Sequence, residues 1–222
     1  DRRPHSGRGL SALERVALHL ANPSDALPRE CFWRIVAKRA ILAAGAQERP
    51  IAFANNDRPG IMTAGAVRGY LNRWGVAAGQ SVTIFCNNDN AHRTARDLAA
   101  AGVRIAALID VREDVAVPGG FPVHAGCRVI DTAGRRGLSE VVIADREGRV
   151  SRIASDCLAV SGGWNPALHL ACHMTGRPVW REEIAAFVPK PGMVPGLAVA
   201  GAANGAYSTR ACLAEGAAAG EA

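Results

Sequence analysis

In the middle of the chain, apolar positions come in short unbroken runs divided by polar turns. Ser81 to Cys86 (SVTIFC) is β-branched and aromatic, the make-up of a strand covered on both faces. Polar Asn87-Asn88-Asp89-Asn90 follows, and then Ala91 to Ala101 carries apolar residues at helical spacing. Gly102 supplies a helix-ending residue, after which Val103 to Ile109 forms a second apolar run closing on Asp110. Strand, turn, helix and strand in this order make a βαβ unit with parallel strands.

Past a loop with Pro118-Gly119-Gly120, the segments Arg128 to Ile130, Ser139 to Ala144 and Val150 to Ile153 alternate as short strands, the last two joined by Asp145-Arg146-Glu147-Gly148. A small antiparallel meander is expected. Asp156 to Val160 then gives an apolar strand ending in Ser161-Gly162-Gly163, as in a return to the parallel sheet. Flanking this unit are two similar segments, Ala37 to Gly45 (AKRAILAAG) and Leu197 to Gly205 (LAVAGAANG), each an apolar strand running into small residues. Small residues there let a backbone approach a phosphate or ribose closely, because no Cβ fills the volume. These two segments are expected to lie side by side.

The composition fits this α/β reading. Of the 222 residues 49% are hydrophobic, ample for a packed core. No run reaches the roughly 18 to 20 apolar residues of a membrane span, and Asp1-Arg2-Arg3-Pro4-His5 lacks a signal-type apolar stretch. A cytoplasmic protein without membrane contact is expected. The net charge of +6 is spread along the chain, Arg2-Arg3 and Arg135-Arg136 being the densest clusters, so no nucleic-acid face is expected. The six cysteines (Cys31, Cys86, Cys127, Cys157, Cys172, Cys212) show no C-x-x-C pair and read as reduced, mostly buried thiols.

An inner unit inserted into an outer one is the layout of flavoproteins with two dinucleotide-binding domains. Ile41 to Pro50 (ILAAGAQERP) resembles that family's "ATG" strand end, and Asn55-Asn56-Asp57-Arg58-Pro59-Gly60 its x-D-x-P-G-V segment. Pro195 to Ala202 resembles its closing PGLFAAGD, with Ala202 where an aspartate usually stands beside FAD. Within the family, ERPIAFANNDRPGIM and VSGGWNPALHLACHMTGRPVWREEIAAFVP resemble the alpha subunit of heterotetrameric sarcosine oxidases. The resemblance implies an α/β chain with a Rossmann-like three-layer inner domain and β-meander at 81–161. It is inserted in the remnant of a second FAD/NAD(P)-binding-type domain at 1–80 and 162–222, whose first βαβ is expected to be missing. The resemblance also implies a noncovalent NAD, partner subunits holding FAD and FMN, and a complex that demethylates sarcosine to glycine with peroxide formation. Opine oxidase, hydrogen cyanide synthase and proline dehydrogenase subunits are the neighbouring alternatives, and an NAD(P)H-dependent flavin reductase or a nucleotide-free scaffold the more distant ones. Without the neighbouring strands of its outer domain, the isolated chain is expected to self-associate.

Candidate nucleotide contacts are Ala44, Gly45, Gly201, Ala202 and Gly205 at the two strand ends, with Arg49 as a phosphate or ribose partner. Asp110 stands about where an acid meets ribose hydroxyls in a βαβ dinucleotide site. The turn Cys86 to Ala91 has no glycine, however, and its Asp89 repels a pyrophosphate, so Asp110 reads as vestigial. Trp164 after Gly162-Gly163 lines either a dinucleotide groove or a packed junction. His169, Cys172 and His173 share one helix face but show no fourth ligand, and no metal is assigned. No nucleophile–base pair stands out, so no catalytic residue is assigned.

Overall fold

The computed structural model describes residues 9–15, 26, 28–115, 119–173 and 176–221; the Arg2-Arg3 cluster, the Asp1 to His5 start and Pro118 lie outside the described residues. In chain order the elements are β1 (Gly9–Arg15), β2 (Glu30–Val36), β3 (Ala40–Leu42), β4 (Ala46–Glu48), β5 (Ile61–Thr63) and α1 (Ala64–Trp74). Next come β6 (Ser81–Cys86), α2 (Asp89–Ala100), β7 (Arg104–Asp110), β8 (Val123–Ala125), β9 (Arg128–Ala133), β10 (Glu140–Ala144), β11 (Val150–Ala154) and β12 (Cys157–Ser161). The chain closes with β13 (Trp164–Pro166), α3 (His169–Cys172), β14 (Val179–Arg181), β15 (Ala186–Val188), β16 (Leu197–Val199) and α4 (Thr209–Glu221). Among the described residues no helix is long and apolar enough to cross a membrane.

The chain divides into two compact units, one of residues 1–45, 166–181 and 187–222, the other of residues 46–165 and 182–186. The second unit is built on a five-stranded sheet in the order β5-β12-β6-β7-β8, in which β6 pairs in parallel with β12 and β7. Both faces of this sheet are covered, which is why β6, β7 and β12 read as continuous apolar runs. On one face Val82, Ile84 and Cys86 of β6 and Cys157 and Ala159 of β12 pack against Ala64 and Val67 of α1 and Ala91, Ala95 and Leu98 of α2. On the other, Phe85, Ile109, Leu158 and Val160 meet Val129, Val141 and Ile143 of the meander β9-β10-β11. Successive strand residues point to opposite faces, so each strand divides its side chains between the two cores.

Two elements extend this unit beyond the 81–161 read from the pattern. Strand β5 pairs with β12, and α1 behind it covers the sheet with buried Ala64 and Val67. Gly65 and Gly69 weaken helix propensity in α1 and break its apolar stripe, so the hydrophobic pattern there is faint. Helix α2 starts at Asp89 rather than Ala91, because Asn88 in extended conformation caps it, its side-chain oxygen accepting the Ala91 N–H at 3.3 Å.

In the other unit, β1 and β2 form an antiparallel ribbon, and β3 pairs in parallel with β16, Ala40 opposite Leu197 and Leu42 opposite Val199. The AKRAILAAG and LAVAGAANG segments therefore lie side by side, further joined by Ala40 N–H to Gly196 O (2.9 Å) and Ala200 N–H to Leu42 O (3.0 Å). This unit leaves Phe32, Trp33, Val36, Trp180 and Phe187 exposed, and what it buries is mostly small, such as Ala171, Ala200 and Ala203.

Candidate functional site

Because β3 and β16 run in parallel, Ala43-Ala44-Gly45 and Ala200-Gly201-Ala202 both leave the carboxyl end of the same strand pair. Gly45 has φ 76°, and nothing lies within 4 Å of where its Cβ would stand; this backbone is open to a close approach. Gly201 to Asn204 forms a 3₁₀ turn ending at Gly205. Helix α4 braces that turn: Glu215 Oε2 accepts the Gly201 N–H at 2.9 Å and the Asn204 Nδ2 at 3.2 Å, and Cys212 Sγ donates to Ala206 O at 3.0 Å. Ala44, Gly45, Gly201, Ala202 and Gly205 are thus brought together in one unit. Glu215, which holds their loop, was not singled out in the sequence because thirteen intervening residues separate it from Gly201.

Arg49 falls in the other unit. Its N–H donates to Gly163 O (2.8 Å) and its carbonyl accepts the Gly162 N–H (2.6 Å), while Nη1 donates to Ala185 O at 2.9 Å. The Arg49 guanidinium lies against Gly163, whose φ is 94° and on which a Cβ would stand 2.7 Å from Nη2. Beside it, Glu48 Oε2 accepts the Gly65 N–H at 2.7 Å. Thr63, the residue before α1, makes no side-chain cap bond, so Glu48 provides the acceptor for that helix start. Burial raises the Glu48 pKa, against hydrogen bonds from Ser161, Gly65 and Thr63 that lower it.

Asp110, at the end of β7, is fully buried. His92 Nε2 of α2 lies 2.7 Å from its Oδ2, and the Cys86 thiol lies 3.4 Å from the same oxygen. Arg112 donates its backbone N–H to Oδ1 at 2.9 Å and its Nη2 to Oδ2 at 2.9 Å, while also reaching Asp89 at 2.8 Å. Burial alone would raise the Asp110 pKa; the hydrogen bonds from His92 and Arg112 outweigh it and hold the carboxyl well below the usual range. Burial pushes the Cys86 thiol far up, and the Asp110 charge adds to it. His92 and Arg112 carry no motif, and only the closed βαβ unit carries them to the acid.

The ligand atoms of Cys86, His92 and Asp110 lie within 4.8 Å of one another. Arg112 Nη2, 2.9 Å from Asp110 and 3.4 Å from His92 Nε2, already supplies the positive charge there. For a dinucleotide the β6–α2 turn does not fit: Asp89 puts a carboxylate in the first turn of α2, Asn88 spends its amide on Ser161 at 3.1 Å, and the Asp110 carboxylate is committed inside the protein. At the β3 and β16 ends Gly45 leaves open space at the backbone, and the Gly201 N–H is taken by Glu215.

Among solved structures the chain resembles flavin- and nicotinamide-nucleotide oxidoreductases: T. acidophilum thioredoxin reductase has TM-score 0.62 and 15% identity, covering 84% of this chain and 64% of that one. The L-proline dehydrogenase of P. horikoshii has TM-score 0.56 and 23% identity, over 78% of this chain and 31% of that one. At these identities the likeness concerns the fold alone. No protein-family model matches the sequence. The particular likeness is to sarcosine oxidase subunit alpha. That of Rhizobium meliloti (strain 1021) is 46% identical over 220 residues, 98% of this chain and 22% of the relative. That of Corynebacterium sp. (strain P-1) is 45% identical over 225 residues, 95% of this chain and 23% of the relative. The chain spans about a fifth of the length of these curated relatives.

Proposed function

We propose that this chain is a structural, NAD-carrying segment of a sarcosine oxidase alpha subunit and performs no catalytic step itself. The observation that carries the reading is 46% identity over 98% of the chain to one such subunit. In this reading the subunit works in a cytoplasmic heterotetramer whose other chains hold FAD and FMN, and the complex demethylates sarcosine to glycine with formation of hydrogen peroxide. Ala44, Gly45, Gly201, Ala202 and Gly205 are the positions assigned to the nucleotide; NAD bound there serves as a structural group. Arg49 and Asp110, both bonded within their own unit, are assigned structural roles.

A flavin reductase needs a working inner dinucleotide site, and the acidic turn at Asp89 with the committed Asp110 disfavours it. The test is to purify the native complex through this subunit and assay it with sarcosine. Sarcosine-dependent oxygen uptake with peroxide and glycine as products supports the reading. A complex inert toward sarcosine that oxidises NADH instead overturns it.

A further inference from the structure

Asn204 is the one asparagine in the sequence that precedes a glycine. That pair has chemistry of its own. Once the Gly205 N–H is deprotonated, its nitrogen can attack the Asn204 side-chain carbonyl carbon, close a succinimide ring and expel ammonia. Water then opens the ring to leave an aspartyl or isoaspartyl residue. With no Cβ at Gly205, nothing crowds the attacking nitrogen, whereas a side chain or a proline ring follows each of the other asparagines. Burial does not shield the pair: both residues are half-buried, at the end of the turn Gly201–Asn204.

In the folded chain both reacting groups are tied away from that path. The Gly205 N–H donates to Ala202 O at 3.1 Å and the Ala206 N–H to Gly201 O at 3.1 Å, so the nitrogen is fixed within the 3₁₀ turn. The carboxamide is tied by its Nδ2 to Glu215 Oε2 at 3.2 Å. Attack would also place negative charge on the carboxamide oxygen, and a carboxylate beside it disfavours that charge. We propose that Asn204 is a latent deamidation site, kept as an amide by the turn and by Glu215 and modified when the turn opens. The change is not undone on reclosing, because the acid formed has lost the Nδ2 donor and sets a second negative charge against Glu215.

The test follows the peptide carrying Asn204 by mass spectrometry while the native complex stands at alkaline pH, beside the same complex in denaturant. In denaturant Asn204 is expected to react ahead of every other asparagine; in the native complex it should react at least about tenfold more slowly. Glu215→Ala releases the carboxamide and is expected to speed the native reaction by about tenfold, while the Asn88 amide, which caps α2 in the other unit, stays intact. Glu215→Asp keeps the charge on α4 but is too short to hold the carboxamide in the same way; its rate is expected above wild type, and it decides the matter should Glu215→Ala not fold. Equal rates at Asn204 in native and denatured wild type would show that the turn is no lock. An unchanged rate in the folded Glu215 variants would show that Glu215 is no part of it, and either result overturns the inference.

Discussion

Asp110 is fully buried, and Arg112 and His92 together keep it charged. Its folded-state pKa lies below the ordinary carboxylate value. The ionised side chain therefore contributes stability that is present above about pH 4 and lost as the pH falls through the depressed folded-state value. Replacing it by Asn at neutral pH leaves Arg112 and His92 facing an uncharged group, with an expected loss on the order of 2–3 kcal/mol. Acid melting curves check this: Asp110→Asn should lower the midpoint at pH 7 and flatten its decline below about pH 4. A second prediction concerns the thiols. Cys86, Cys127 and Cys157 are buried, and burial with the nearby Asp156 charge pushes the Cys157 pKa up to about 12. A thiol reagent at neutral pH should therefore modify Cys31, Cys172 and Cys212 and spare those three until the chain is unfolded. At this scale the sequence showed Asp110 as a strand-end acid and Cys86 and Cys157 as core. It did not show what surrounds Asp110, because His92 lies on the face of α2 turned to the sheet and Arg112 lies past the strand end, where no periodicity applies.

Among the elements, α1 depends on a residue far from it in sequence. Glu48 accepts the Gly65 N–H in the first turn, replacing the cap that Thr63 does not make. Glu48→Ala should cost about 1 kcal/mol. Glu48→Gln keeps an acceptor and behaves differently: since burial raises the Glu48 pKa, its ionised form loses stability as the pH rises through that value, and the neutral amide avoids the loss. Denaturant unfolding at pH 7 should place Glu48→Gln at or above wild type and Glu48→Ala below it; the reverse order would rule out the capping role. Strands β6, β7 and β12 were legible because unbroken apolar runs mark strands covered on two faces, the meander β9 to β11 because short alternating segments are set apart by turns, and helix α2 by the helical spacing of its apolar residues. Helix α1 was hidden by Gly65 and Gly69. The ribbon β1–β2 was hidden for a different reason: Phe32, Trp33, Ile35 and Val36 are all exposed, so no alternation of inward and outward residues marks it.

At the scale of the whole molecule, the two units differ in what they bury. The unit with the five-stranded sheet has two filled cores. The other rests on the β1–β2 ribbon and the β3–β16 pair and exposes Phe32, Trp33, Val36, Trp180 and Phe187. Apolar surface of that kind, together with the unpaired edges of short sheets, promotes association. The isolated chain should therefore run as oligomers or aggregates in light scattering; a monodisperse monomer would contradict this. Sequence likeness to sarcosine oxidase subunit alpha covers nearly all of the chain but about a fifth of the relatives, and the nucleotide it is proposed to carry is the central claim. The direct measurement is to purify the native complex, separate its subunits, and identify the nucleotide released from this one by chromatography. NAD without flavin is the predicted result. FAD, or no nucleotide, on this subunit would contradict the account.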